Sequence, residues 1–428
     1  FSMSYLTVSA DHRHLEQNGK PFFWLADTIW SAFTNITLED WAYYLKHRRE
    51  QGFTVLQINT LAQWDRGESP LLWNPFALDA DGFPIYSQPE NGYFEHAREM
   101  CRMAKAEGFT LALVVLWSNQ VPGTWANNMI PRYTIPKDEL RGVLTKIYDT
   151  FDEFEPVYVV SGDTDFPTEE TVAYYQEAFD LLAERKFPGL KTMHIKGRFT
   201  DIPDVFAEQM DFYLYQSGHN SGAQAMAYTS AEVLTAREPK RPVINSEPCY
   251  DQMGYSHKLY GRFGRFEIRR AAWQSLLSGA CAGITYGAHG VWNWVSTGFR
   301  TTLSLGEGFD APQPHQIALE FPGAWDYGFM HELFDVYGIS TLVSCRELVK
   351  HDSPEIRMAK TPDESLYLVY LPVNTKLALD GDFTGYSIRA YDLSSRRTAC
   401  LNTEQKDSQT LISMHPFEQD VVLMMKKA

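Results

Sequence analysis

Two short stretches of the chain place a carboxylic acid directly after a run of apolar residues. Residues 157–163 read V-Y-V-V-S-G-D and end on Asp163. Residues 242–251 read P-V-I-N-S-E-P-C-Y-D, where Val243 and Ile244 sit between two prolines and lead to Glu247. Each has the pattern of a short buried strand with an acid at its mouth. Burying ionisable groups at strand ends costs free energy that packing alone rarely explains. Two carboxylates facing one gap supply what glycoside cleavage needs: an acid for the leaving oxygen, and a nucleophile or base on the other side of the sugar.

The elements that must position these acids follow a strand-helix alternation. Asn18-Gly19 predicts an opening hairpin. Buried strands are then expected at 22–27, 53–59, 109–117, 157–161, 190–195, 211–215, 243–246 and 283–286. Helices are expected from Thr37 to about Glu50, closed by Gly52, from Thr168 to about Lys186, and from about Arg265 to Ser278. Two long insertions, 60–90 with Trp64 and Trp73 and 119–136, exceed a plain connection and read as functional or lid-like. From Asp163 to Glu247 is 84 residues (247 − 163), or 28 per unit over three βα units, near the roughly 30 expected of a βαβ repeat. Eight such strands predict an α/β fold, a (β/α)8 barrel over residues 1–340. After about Ser340 short alternating segments predict a C-terminal all-β sandwich over 341–428. No G-x-G-x-x-G follows the first strand, which argues against a dinucleotide-binding sheet.

In a barrel of this kind the active site lies at the C-terminal ends of the strands. The acids expected there are Asp27, Asp163, Asp165 and Glu247. Asn59, Trp117, His219, Tyr286, His289 and Trp292 stand at or just after strand ends and are expected, with Asp27, to line a sugar pocket by hydrogen bonding and stacking. Each has a competing structural role. G-D-T-D at 162–165 is also a turn sequence, Asp165 is a rival to Asp163, Asp27 suits an acid bonded to backbone N–H groups, and the histidines suit satisfied buried side chains.

A net charge of −16 disfavours nucleic acid and anionic membrane as partners, and a neutral or small polar ligand fits better. The five cysteines are scattered without C-x-x-C spacing, so neither a disulfide framework nor a zinc site is expected. His12-Arg13-His14 has H-x-H spacing but precedes the first strand, at the wrong end for a catalytic metal. No metal or cofactor is therefore expected. With no signal-like or membrane-spanning apolar run, a cytoplasmic location is the expectation.

Four segments carry a resemblance: P-F-F-W-L-A-D-T-I-W at 21–30, V-V-S-G-D at 159–163, S-E-P-C-Y at 246–250 and R-R-A-A-W-Q-S-L-L-S-G-A-C-A-G-I-T-Y-G-A-H-G-V-W at 269–292. They resemble the apiosidase-like family of glycoside hydrolases over roughly residues 5–340. That resemblance implies a retaining barrel glycosidase with a small C-terminal β domain, acting on a carbohydrate, exo-fashion, at a plant-type or microbial polysaccharide side chain. It implies Asp163 as acid/base after strand four and Glu247 as nucleophile after strand seven. The sequence departs from the wider group in having Asp rather than Glu after strand four. It departs from the commonest family form in reading S-G-D-T-D where a second Gly and a basic residue are usual. The alternative is a carbohydrate-binding barrel that has lost turnover.

Overall fold

The computed structural model describes residues 5–65, 71–296 and 309–428. Eight parallel strands form its centre: β1 (Trp24–Thr28), β2 (Val55–Asn59), β3 (Thr110–Trp117), β4 (Val157–Gly162), β5 (Lys191–Thr192), β6 (Tyr213–Tyr215), β7 (Val243–Asn245) and β8 (Gly283–Tyr286). They are hydrogen-bonded in the order β5-β4-β3-β2-β1-β8-β7-β6. Between β5 and β6 the ring is closed by single contacts. The Asp211 amide donates to the Lys191 carbonyl (2.8 Å), Thr192 Oγ1 donates to the Phe212 carbonyl (2.6 Å), and Gly197 and Gln216 form an isolated parallel bridge. The result is a (β/α)8 barrel.

Local sequence explains the elements. β3, T-L-A-L-V-V-L-W, is buried at all eight positions, as expected of a parallel strand covered on both faces. The helix α1 (Leu38–Glu50) starts at Thr37, whose hydroxyl accepts from the Asp40 amide at 3.2 Å. α2 (Asn91–Ala106) buries Tyr93, Phe94, Ala97, Met100, Cys101 and Ala104, the three-and-four spacing of one helical face. α3 (Lys137–Phe151), α4 (Glu169–Glu184), α5 (Met226–Ala236), α6 (Arg265–Leu276) and α7 (Gly323–Tyr337) continue the outer layer. The N-terminal hairpin turns at Asn18 and Gly19, both with positive φ, as its sequence predicts. Between β5 and β6 the crossover shrinks to the four-residue helix Asp204–Ala207. The expected strand at 190–195 accordingly shortens to two regular residues, after which the His194 amide still donates to the Ser161 carbonyl (3.2 Å) and Ile195 bridges Thr164.

From Val343 onward the chain is nearly all β. A six-stranded sheet contains Val343–Ser344, Arg357–Lys360, Leu366–Leu371, Tyr386–Asp392, Thr398–Cys400 and Val421–Lys427, and a three-stranded sheet contains Leu377–Asp380, Thr403–Lys406 and Gln409–Ile412. These two sheets enclose a second apolar core around Met358, Val369, Leu379 and Leu423. The sandwich is joined to the barrel through buried charge. Arg269 on α6 donates to Asp420 (2.6 Å) and Asp326 (3.2 Å), and Arg265 binds Asp326 on two bonds. Among the described residues no helix is long and apolar enough to cross a membrane.

Candidate active site

The barrel opens, at the C-terminal ends of its strands, into a cavity of about 370 Å³ lined by residues that include Asp163, Glu247, Trp117, His219, Tyr250 and Trp292. Glu247 follows β7 directly and is 8 % exposed. Its Oε1 lies 3.0 Å from His219 Nε2, and its Oε2 lies 3.1 Å from His194 Nε2. The first is a directed hydrogen bond. The second is a close contact of the same carboxylate with a buried ring nitrogen.

Both imidazoles are fixed in one tautomer by the backbone. The amide of Asp163 donates to His194 Nδ1 (2.9 Å) and the amide of Tyr250 donates to His219 Nδ1 (3.3 Å). With Nδ1 accepting in each neutral ring, the proton stands on Nε2, facing the Glu247 carboxylate. These donors and the attraction of the rings outweigh burial and hold the Glu247 carboxyl down at about 2. Glu247 is therefore an anion at neutral pH, with no Arg or Lys bonded to it among the described residues. Tyr250 is the opposite case: burial and the Glu247 charge beside it push its phenol well up, so it remains protonated.

Asp163 stands just beyond β4 in a left-handed conformation (φ 50°) and is half-buried. Gln216 Nε2 donates to its Oδ1 at 3.0 Å, and Trp125 Nε1 donates to its carbonyl at 2.7 Å. His194 thus joins the two acids: one ring nitrogen takes the Asp163 amide and the other faces Glu247. Gly162 is required next to it, because a Cβ there would sit 2.1 Å from the Trp117 ring. Trp117 in turn packs near-parallel to His194, with centroids 6.0 Å apart. Asp165, the rival acid, is occupied by the Trp125 amide (2.9 Å) and Lys196 Nζ (2.8 Å).

Of the expected pocket residues, Trp117, His219 and Trp292 line the cavity and four others do not. Asp27 is fully buried below it, accepting from Arg48 Nε (2.7 Å) and Tyr44 OH (2.5 Å). Tyr286, expected as a sugar-stacking floor, donates to Asp251 Oδ2 (2.9 Å) and packs on Tyr327. His289 is enclosed, and burial lowers it to about 3, so it is neutral. Asn59 is 1 % exposed at the end of β2. The H-x-H histidines lie on the N-terminal hairpin, where His14 Nδ1 is 2.7 Å from Thr341 Oγ1. Among the described residues no three His, Cys, Asp or Glu side chains converge on a metal position. All five cysteines are free, four of them buried.

The residues that sequence reasoning missed are His194, Gln216, Lys196 and Tyr250, together with Trp30 and Trp125. A signal existed for His194: K-T-M-H-I-K places one polar ring inside an otherwise apolar strand end.

A (β/α)8 barrel with two acids on one strand-end cavity has the layout of a glycosidase. The chain belongs to the apiosidase-like family, whose catalytic domain matches residues 9–340. No curated protein matches it. Among solved structures, one described as a glycoside hydrolase is 18 % identical, with a TM-score of 0.79, covering 99 % of this chain and 97 % of that one. A glycoside hydrolase family 5 protein from Bacteroides vulgatus is 19 % identical at the same TM-score of 0.79, covering 99 % and 93 %. At these identities the likeness is one of fold.

Proposed function

We propose that this glycosidase acts by a retaining mechanism, with Glu247 as nucleophile and Asp163 as acid/base. The observation that carries the proposal is the pair of tautomer-locked imidazoles on Glu247. A nucleophile must stay charged yet keep an electron pair available. Neutral N–H donors stabilise the anion without tying it into an ion pair.

In the first step a Glu247 oxygen attacks the anomeric carbon while the bond to the leaving oxygen breaks and that oxygen takes the Asp163 proton. In the second, Asp163, now a carboxylate, removes a proton from water as the water oxygen displaces Glu247, releasing the sugar as its hemiacetal and freeing the Glu247 carboxylate. Trp117 and Trp292 offer ring faces to the apolar side of the sugar. Asp163 and Glu247 both line the cavity, so one bound sugar can meet both acids.

A cavity near the small end of the range for ligand pockets supports exo action at a chain end or side branch of a polysaccharide. We further propose that residues 341–428 are a packing domain for the barrel, since they meet it through the buried charges around Arg269 and through apolar residues such as Leu368, Tyr370 and Met424 that join the barrel core.

A panel of aryl glycosides, pentofuranosides and pyranosides included, tests the reaction. Turnover with the first-formed product in the substrate's anomeric configuration, followed by proton NMR, is expected. First-formed product of inverted configuration would contradict the mechanism. Silence across the panel together with tight sugar binding would favour the non-catalytic barrel. Release of single sugars from an oligosaccharide ladder is expected for exo action, and mid-chain cuts would overturn it.

A further inference from the structure

The loop after Glu247 folds back on itself as a ribbon that begins at Met253, a residue lining the cavity. The Phe263 amide donates to the Met253 carbonyl (2.9 Å), and the Tyr255 amide donates to the Gly261 carbonyl (3.0 Å). Residues 256–260 form its tip. The tip is tied to the site, because the Ser256 amide donates to the carbonyl of His219 (3.0 Å), the residue that holds Glu247.

Its shape is fixed. Tyr255 packs edge-on against Phe263 and donates to Glu267 Oε1 (3.1 Å). Gly261 has φ +140°, and a Cβ there would lie 2.3 Å from the Tyr255 ring. His257 and Lys258 both hold left-handed conformations (φ 64° and 59°), an unfavourable pair that persists only where the surroundings impose it.

The tip presents Tyr260, which is 103 % exposed, beside Leu259 at 53 %. Among the described residues two other aromatic side chains are as open as a third or more: Tyr43 on α1 and Trp325 on α7. Both stand in the outer helix layer and pack around His47. Tyr260 alone of the three lies at the strand-end face. Three residues separate it from Ser256, so it stands within about 14 Å of that anchor.

We propose that Tyr260 is a carbohydrate-stacking platform for the part of the substrate beyond the cleaved bond, the polysaccharide to which the reacting sugar is attached. The proposal rests on the glycosidase reading of the cavity. The cavity takes the reacting sugar, and a polymer attached to it must leave through the mouth. A fully exposed phenol on a loop tied to His219, which lines the cavity, offers a flat apolar face to a sugar ring.

The test is affinity electrophoresis of Glu247→Gln and Glu247→Gln/Tyr260→Ala through native gels containing soluble pectin, arabinoxylan or xyloglucan, paired with kinetics in the wild-type background. Retardation by at least one polymer is expected, reduced about three- to tenfold by Tyr260→Ala and restored by Tyr260→Trp. In kinetics Tyr260→Ala is expected to raise KM for an oligosaccharide while leaving kcat/KM for an aryl glycoside unchanged. Equal retardation of both forms, or none in any gel, overturns the platform. If aryl glycosides are not hydrolysed but Tyr260-dependent retardation persists, the chemistry assigned to the cavity fails and the platform stands.

Discussion

Asp27 and Glu247 are both acids at the ends of apolar barrel strands, yet the fold treats them oppositely. Asp27 meets a cation: Arg48 donates to it at 2.7 Å, and the guanidinium lies over the rings of Tyr44, Phe53 and Tyr286. Glu247 meets two neutral imidazoles whose other nitrogens are already occupied by backbone amides. A buried carboxylate paired with arginine is a closed unit, costly to break and poorly nucleophilic. One held by neutral donors is stabilised as an anion and still faces open volume. The partner, rather than the acid or its position on the strand, separates structure from chemistry.

Breaking each acid in turn should give different losses. Glu247→Ala should reduce kcat on an aryl glycoside by at least about 10⁴-fold per folded molecule, because removal of a nucleophile abolishes the covalent step. Asp27→Ala should cost stability instead. It leaves Arg48 buried and uncompensated, so urea unfolding should show a loss of about 3–5 kcal/mol, with activity per folded molecule largely kept. Asp163→Ala should cost about 10²–10⁴-fold for a sugar leaving group. It should cost far less for a nitrophenolate, which needs no proton.

His194→Ala sharpens the comparison. It removes the contact to Glu247 Oε2 and the acceptor for the Asp163 amide together, so a loss of about 10- to 100-fold in kcat/KM is expected. His194→Gln, which can still offer an amide N–H, should lose less.

The pH dependence of stability carries opposite signs at two acids. Glu247 is held at about 2, below its ordinary 4.5, so between those values the unfolded chain binds the extra proton and stability rises with pH. Asp251 is pushed by burial from 3.8 up to about 6, despite accepting from Tyr286 and the Gly323 amide. There the folded chain binds the extra proton, so its contribution falls as pH rises from about 4 to about 6. Asp251→Asn should flatten that second window in denaturant titrations read against pH.

The barrel was legible because its strands are continuous apolar runs separated by turn residues and by capped helices such as the one begun by Thr37. Asp163 and Glu247 were legible as strand-end acids. The same rule also brought in Asp27, Asn59, Tyr286 and His289, because strand-end position does not reveal which side chains reach the cavity and which stop beneath it. Tyr286 and Asp27 end inside the barrel wall, paired with Asp251 and Arg48 across sequence separations of 35 and 21 residues. His194 was illegible for a related reason. The expected strand at 190–195 absorbed it as a core residue, whereas the regular pairing of β5 stops at Thr192 and resumes as an isolated bridge at Ile195, with the His194 ring between them facing Glu247.

The most direct test of the central claim is the configuration of the glycosyl azide formed when azide is added to Glu247→Ala and to Asp163→Ala with an activated aryl glycoside. Azide should replace the missing Glu247 carboxylate and attack the substrate once, giving an azide of inverted configuration. In Asp163→Ala it should attack the covalent intermediate and give one of retained configuration. The same configuration from both variants, or full activity in either without azide, would contradict the assignment.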